Sequence, residues 1–268
     1  MSRPVGASGL GLAVPRAGPG VCATCHGPAR DGRRDCWCCR AVSAALGRGD
    51  GPSPLVVPVA LCRTGDRLHA VLRGYKDAPA VAARRHFASR IGAHLSGFLG
   101  AHGGCIATAA GSRWDSVAVV PSSTRPQGAR RHPSPPAPHP LSEVLGAIPH
   151  LSGLARVKIG RGEASAHHLA PDPDAFVVGG EARGRRVLLL DDTWVTGARM
   201  QSAAATLADA GAEVVAMVVA GRTVGGVGAT AVPALERWWG WAEDRGRHAG
   251  TVARGPCCLA DCARRRPG

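Results

Sequence analysis

Two adjacent acids, Asp191 and Asp192, stand directly after four apolar residues and before a short turn that contains hydroxyl and glycine residues. Carboxylates in this position can accept hydrogen bonds from sugar hydroxyls, or hold a hydrated Mg2+ that is shared with substrate phosphates. The turn leads into an Ala-rich segment that predicts a helix, and the backbone N–H groups at a helix N-terminus bind phosphate. The residues of the turn are Thr193, Trp194, Val195, Thr196 and Gly197. The two halves together predict a sugar-phosphate site; the alternative is a buried strand whose acids merely cap the next helix.

Four cysteines near the N-terminus form two pairs, Cys22 with Cys25 and Cys36 with Cys39. The C-x2-C spacing within each pair lets two thiolates on one tight turn meet the same metal ion. Two such turns make a closed site of four thiolates, so we predict a structural Zn2+ that replaces the core a module of this size cannot build. His26 and Cys38 are alternative ligands, and four unrelated buried thiols are the alternative without metal.

The segments around the acids predict an α/β fold with a parallel sheet flanked by helices. Residues 187–190 are continuously apolar, which is typical of a strand covered on both faces. A helix over 198–210 and a strand over 213–220 then form a right-handed parallel crossover with that strand. The acids are therefore expected at the carboxyl ends of the strands, where open α/β sheets bind ligands.

The remaining elements are predicted from apolar runs and from the residues that interrupt them. We expect further strands at 55–62, 68–72, 115–120 and 174–178, with a hairpin turn at 63–67 between the first two. Helices are expected at 78–99 and 141–148, and the glycines within 100–104 are expected to end the first of them.

The domain organisation follows from changes in composition along the chain. A Gly- and Pro-rich stretch predicts a flexible leader over 1–20, and the four-cysteine module covers 21–46. After a Gly–Pro linker, the α/β domain covers 55–222, and a tail covers 223–268. The tail holds a Trp-rich helix, which we expect to dock on an apolar face rather than stack on nucleobases, and a cysteine cluster that is a weak metal signal.

Composition and charge limit the function classes. The chain has 268 residues, ten cysteines and a net charge of +14, which favours polyanionic partners such as phosphates or nucleic acid. No apolar run reaches the ~18 residues of a membrane-spanning helix, and the N-terminus lacks the apolar region of a signal peptide. We therefore expect a cytoplasmic protein without a membrane partner, with its cysteines reduced or bound to metal.

The order of four apolar residues, Asp-Asp, three variable positions and Thr-Gly resembles the phosphoribosyl pyrophosphate (PRPP) motif of type I phosphoribosyltransferases. The pair Tyr75–Lys76 and the paired-cysteine module are similar to the ComF/GntX-like branch of that superfamily, the competence-protein-F-like proteins. The resemblance covers roughly residues 20–222 and implies the type I phosphoribosyltransferase fold.

The resemblance also implies roles for individual residues. Asp191 and Asp192 would hold the ribose hydroxyls and Mg2+, and the turn after them would cradle the 5-phosphate. Pyrophosphate would be received by Lys76, for which a plain surface lysine is the alternative, and by the loop after strand 115–120. The loop residues are Ser122, Ser123, Thr124 and Arg125. A mobile hood over 154–169 would close on the site.

The sequence departs from the family pattern in two places. The loop that would receive pyrophosphate continues into a proline-rich run, and Trp194 and Arg199 are unusually large for their positions. We predict a phosphoribosyltransferase-like protein that binds PRPP and Mg2+ and transfers the phosphoribosyl group to an acceptor that the sequence does not identify. The alternative is a non-catalytic competence-type protein that binds single-stranded DNA or senses PRPP. The sequence is also compatible with a homo-oligomer.

Overall fold

The computed structural model describes residues 10–30, 32–47, 54–122, 140–146, 148–167, 169–225, 232–248 and 259. Within these ranges the strands are β1 Leu55–Pro58, β2 Leu61–Cys62, β3 Ser116–Val119, β4 Ala155–Arg156, β5 Lys158–Arg161, β6 Phe176–Gly179, β7 Arg186–Trp194 and β8 Glu213–Thr223. The helices are α1 Trp37–Ala45, α2 Arg67–Asp77, α3 Val81–Ala110, α4 Pro140–Leu145, α5 Pro149–Ser152, α6 Ala198–Asp209 and α7 Val232–His248.

A parallel sheet forms the centre of the molecule. Its strand order is β1-β8-β7-β3-β4, and β2 also pairs with β8. Each of these pairings is parallel, whereas β5 and β6 form a separate antiparallel pair. Helices α2 and α3 contact β8 from one side, and α6 packs on β7 and β8. The prediction of an α/β fold with a parallel sheet flanked by helices is confirmed.

Alternating side chains of β7 enter two separate hydrophobic clusters. Leu188 and Leu190 belong to the cluster that contains residues of α2 and α3. Val187 and Leu189 belong to the cluster that contains α6 and the four N-terminal cysteines. Because successive side chains of a strand point to opposite faces, the acids that continue this strand also diverge. One carboxylate is directed toward each layer of helices.

The predicted hairpin and strand over 63–72 are wrong, because residues 67–77 form helix α2. Its buried residues recur at intervals of three and four, which is helical spacing rather than the alternation of a strand. They are Leu68, Val71, Leu72 and Tyr75. The predicted strand 55–62 is divided into β1 and β2, with Leu61 bonded through its backbone N–H to Leu12.

The predicted end of the helix at 100–104 is also wrong, because α3 continues through these residues to Ala110. A buried face extends along the helix through His102 and Ile106, and this packing outweighs the ~1 kcal/mol that each interior glycine costs a helix. The helix ends instead at Gly111, whose φ of 71° is the left-handed conformation that favours glycine.

The N-terminal segment is packed where it is described, which corrects the expected flexible leader for residues 10–20. Leu10, Leu12 and Val14 are buried in the main core, and Leu12 exchanges backbone hydrogen bonds with Leu61. At the end of the segment, the carbonyl of Gly20 accepts a hydrogen bond of 2.8 Å from the indole of Trp238 in α7. The segment is therefore held between the sheet edge and α7.

Across the described ranges, no helix combines the length and the apolar character needed to cross a bilayer.

Candidate functional site

The two acids lie near the carboxyl end of β7, which pairs with β8 in the centre of the sheet. Asp191 is 8% exposed and Asp192 is 2% exposed. The backbone N–H of Asp192 donates to Oδ1 of Asp191 at 2.8 Å, which fixes the rotamer of the first carboxylate. Buried acids need partners of this kind, since an unpaired buried charge is strongly disfavoured.

Asp192 takes its partners from the last turn of α2. Tyr75 donates its phenolic hydrogen to Oδ2 of Asp192, and the ammonium group of Lys76 forms an ion pair with the same oxygen. Burial and the nearby Asp192 charge raise the pKa of Tyr75 well above its usual value, so the phenol remains a donor. The structure thus places Tyr75 and Lys76, which the sequence resemblance selected, on the second acid of the motif.

Asp191 has a different electrostatic environment. Burial, and then the neighbouring charge of Asp192, raise its pKa to about 8, although Lys76 and Arg199 oppose the shift. The Asp191 carboxyl therefore favours its protonated form more than a solvent-exposed aspartate does. A cation that binds the acid pair would displace this proton and recover both carboxylates as oxygen ligands.

Strand β7 continues through Trp194, so the segment predicted as a turn over 193–197 begins as strand. It ends at Gly197, which caps α6 with a φ of 89°. The first helical bond of α6 runs from the N–H of Gln201 to the carbonyl of Gly197, so the preceding N–H groups lie outside the helical ladder. Thr196 is buried and its hydroxyl accepts from the N–H of Ala198 at 3.4 Å. A helix N-terminus at the carboxyl edge of a parallel sheet has the geometry that binds phosphate.

Trp194 does not project away from the turn, although its size is a departure from the family pattern. Its side chain is 1% exposed and belongs to the hydrophobic cluster of the α6 face. The indole packs against Gly197, where an added Cβ would lie 2.1 Å from Cζ2 of the ring. The large side chain therefore lies in the core and contacts Gly197, so it limits the conformation of the turn.

Arg199, the other departure, holds the start of the predicted pyrophosphate loop. Its guanidinium donates to the carbonyl of Pro121 at 2.6 Å, and that of Arg161 in β5 donates to the carbonyl of Ser122. Burial lowers the pKa of Arg199, while the charge of Asp191 raises it. Ser122 is thus brought close to the acids and α6. Ser123, Thr124 and Arg125 lie outside the described residues.

The four cysteines converge as the spacing predicts. Their four sulfur atoms lie within 4.8 Å of one another, and all four residues are buried. Sulfur atoms at the corners of a tetrahedron with Zn–S bonds of about 2.3 Å are ~3.8 Å apart, and the Sγ atoms of Cys25 and Cys36 are 3.8 Å apart. The cluster has the ligand set and the dimensions of a structural zinc site.

Local contacts prepare the cysteines for a metal. The N–H of Cys36 donates to Sγ of Cys22 at 3.2 Å, and the N–H of Cys39 donates to Sγ of Cys36 at 3.5 Å. Hydrogen bonds from the other three thiols lower the pKa of Cys25 well below its usual value, whereas the pKa values of Cys22 and Cys39 are raised. A divalent ion would stabilise all four residues as thiolates.

The alternative ligands lie outside this cluster. Nδ1 of His26 is 2.9 Å from the carbonyl of Pro15, which ties the imidazole to the N-terminal segment. Cys38 is half-buried and is not one of the four converging residues. Cys22, Cys25, Cys36 and Cys39 are the ligand set that the geometry supports.

Sequence reasoning missed the arginines that organise the site, Arg161 and Arg222. Arg222 is 6% exposed at the end of β8, after a long apolar run. The sequence did contain a signal for Arg222, because it is a single charged residue at the end of a long apolar run. An arginine that is buried in such a place needs specific acceptors.

Comparison with known proteins gives no family. No protein-family model and no curated protein matches the chain. Among solved structures, it is similar to an orotate phosphoribosyltransferase from Mycobacterium tuberculosis H37Rv in complex with inorganic phosphate, with 15% identity over 52% of this chain and 70% of that one, at a TM-score of 0.29. It is also similar to a phosphoribosylpyrophosphate synthetase from Mycobacterium smegmatis, with 18% identity over 70% of this chain and 60% of that one, at a TM-score of 0.31. Membership of the ComF/GntX-like branch stays a prediction.

Proposed function

We propose that this protein binds PRPP together with Mg2+ at the carboxyl end of β7, and transfers the phosphoribosyl group to an acceptor with release of pyrophosphate. One observation carries the proposal: a buried pair of acids near the end of β7 is followed, two strand residues later, by a glycine-capped turn into α6, at the centre of a parallel sheet. Acids suited to a diol and a cation thus lie beside N–H groups suited to a phosphate, which is the chemistry of a sugar phosphate.

Each part of the site has a distinct task in this proposal. The turn 193–197 and the first N–H groups of α6 bind the 5-phosphate. Asp191 and Asp192 bind the ribose hydroxyls and the cation, for which their oxygens are the appropriate ligands. When bound, Mg2+ neutralises charge on the pyrophosphate. Asp191 gives up its proton as substrate and cation bind, because the positive charge of the cation and the hydroxyl donors of the ribose favour the ionised form.

Transfer at C1 of the ribose proceeds through an oxocarbenium-like state, so the protein must stabilise the leaving pyrophosphate more than it must supply a strong base. Lys76 is well placed for this task, because its ammonium group lies on Asp192 before ligand binds. Ribose hydroxyls that bind Asp192 would compete for that oxygen and free the lysine for the pyrophosphate. The loop at Ser122, Ser123, Thr124 and Arg125 would supply further donors.

A second candidate is a protein that binds without turnover, either PRPP itself or single-stranded DNA. The net charge of +14 favours it, since basic proteins attract nucleic acid. The cysteine module, with its structural Zn2+, serves as a brace in both cases. Cytoplasmic location fits both and remains an expectation.

Isothermal titration of PRPP in the presence of Mg2+ tests the proposal. We expect the double variant Asp191→Asn with Asp192→Asn to lose at least ten-fold in affinity. The double variant Asp209→Asn with Glu213→Gln is the matched control, because it replaces two exposed acids by their amides at the end of α6 and the start of β8, away from the carboxyl end of β7. Unchanged affinity in the first variant would refute the assignment of the acids.

A parallel titration with single-stranded DNA separates the two candidates. PRPP binding without DNA binding supports the phosphoribosyltransferase, and DNA binding without PRPP binding supports the competence-type protein. Release of pyrophosphate from PRPP, measured with candidate acceptor bases, then distinguishes turnover from binding.

A further inference from the structure

Arg222 lies at the end of β8 and reaches across to the turn that follows the acids. Its Nη1 donates to the carbonyl of Val195 at 2.9 Å and contacts the carbonyl of Trp194 at 3.4 Å. It also donates to the carbonyl of Thr223. The guanidinium thereby fixes the direction of two peptide groups in the middle of the turn 193–197.

The opposite side of the same guanidinium faces the cysteine module. Nη2 of Arg222 lies so close to Gly27 that a Cβ on this glycine would be 2.7 Å away. The carbonyl of Gly27 accepts a hydrogen bond of 2.8 Å from the N–H of Cys22, so the guanidinium packs on the loop that holds the first cysteine pair. Among the described residues no carboxylate forms an ion pair with Arg222. Thiolates that hold a metal in the adjoining module would supply the negative charge that this buried cation lacks.

A loaded metal site would strengthen this partnership. Four thiolates around one Zn2+ carry a net double negative charge, which is costly to bury unless a cation lies beside it. A guanidinium remains protonated in proteins and offers a planar fork of donors, so it can face the thiolates and the turn carbonyls together. Arg222 has the position and the charge for both tasks.

We propose that Arg222 is a positioning residue that couples metal ligation by the four cysteines to the conformation of the turn 193–197. The identity of the turn's ligand rests on the proposed function, whereas the coupling does not. With the metal bound, Arg222 is held between the thiolates and the carbonyls of Trp194 and Val195. Without it, the guanidinium loses its anionic partner and the turn loses its brace.

Hydrogen exchange of the full-length protein tests the coupling directly. In the zinc-loaded wild type, we expect the amides of 193–198 to exchange at least five-fold more slowly than after chelation. In Arg222→Met the same amides exchange fast with and without zinc. Arg186→Met is the control, because this exposed arginine lies at the other end of the adjoining strand β7. In the Arg186→Met variant, hydrogen exchange of the amides of 193–198 should depend on zinc as it does in the wild type.

Zinc affinity, measured by competition with a chromogenic chelator, is the second readout. Loss of a residue that supports metal ligands costs roughly 10-fold in affinity, and we expect such a loss in Arg222→Met. Arg222→Lys keeps the charge but not the fork, so it should retain zinc within about three-fold while the turn still exchanges fast. If Arg222→Met does not fold, this lysine variant carries the test.

Two results would overturn the coupling: an exchange rate at 193–198 in the wild type that is independent of zinc, or a zinc affinity in Arg222→Met within two-fold of the wild type. Titration with ribose 5-phosphate connects the coupling to function, and we expect a five-fold or greater loss of affinity in Arg222→Met. If the wild type binds no ribose 5-phosphate, the proposed function fails, while the exchange and zinc measurements still decide the coupling.

Discussion

The phenol of Tyr75 at the end of α2 donates a hydrogen bond to the carboxylate of Asp192 at the end of β7. Both side chains are almost fully buried, and Lys76 pairs with the same oxygen of the acid. Two consecutive residues of one helix thus hold the second acid of the motif in place before any ligand binds. The orientation of that carboxylate depends on α2 as much as on the strand that carries it.

Tyr75→Phe should destabilise the protein, because it leaves a buried carboxylate without one of its donors. Such a loss costs about 1–3 kcal/mol, which urea unfolding can resolve. Ser152→Ala is the control, since it removes an exposed hydroxyl that bonds a carbonyl in its own short helix. An unfolding free energy of Tyr75→Phe equal to that of the control variant would contradict the role of the phenol.

Asp191→Asn should stabilise the protein, and more so at higher pH. The pKa of Asp191 is raised from 3.8 to about 8, so its ionised form is disfavoured in the folded state. The wild type therefore loses stability as pH rises from about 4 to 8, by at most about 1.4 kcal/mol per pH unit. Asparagine does not titrate and keeps the oxygen that accepts from the N–H of Asp192. Urea unfolding at pH 5, 6.5 and 8 should show a widening difference; a constant one would refute the assigned pKa.

Cys25→Ser should abolish stoichiometric zinc in protein that is purified without chelators. Loss of a structural metal belongs among the largest single-residue effects, about 4 kcal/mol or more. Cys38→Ser is the matched control, because Cys38 is in the same short segment but outside the cluster. Elemental analysis and thermal unfolding measure the two effects. Equal zinc content in both variants, or none in the wild type, would exclude this metal centre.

Gly197→Ala should be strongly destabilising, because the position combines a φ of 89° with the indole of Trp194 at 2.1 Å from the added Cβ. We expect a cost of about 3 kcal/mol, the sum of left-handed strain and overpacking. Gly47→Ala isolates the strain, since φ there is 65° and nothing lies within 4 Å of the added Cβ. Similar losses in the two variants would show that the indole does not pack on Gly197.

The parts that the sequence predicts well are those with a strong local signal. The apolar run before Asp191, the Ala-rich helix after Gly197 and the paired cysteines each contain their own pattern, so strand β7, helix α6 and the metal cluster were predictable. The family resemblance drew attention to Tyr75 and Lys76, but it assigned Lys76 to pyrophosphate and did not predict the contact of the two residues with Asp192.

The parts that the sequence did not predict depend on distant packing. Helix α3 passes through Gly103 and Gly104 because its buried face lies against the sheet, which no local propensity reveals. The segment around Leu12 is ordered by Leu61, about fifty positions away. The partners of Arg222 come from the cysteine module and from the turn after β7, so its task was visible only in three dimensions.

The hydrogen bond between Gly20 and Trp238 joins residues that are 218 positions apart. During synthesis the cysteine module is made well before α7, so the carbonyl of Gly20 lacks this partner until α7 has emerged. Closing so long a loop is slow, because its entropy must be lost before the contact forms. The contact between the segment around Gly20 and α7 is therefore expected to form late in folding.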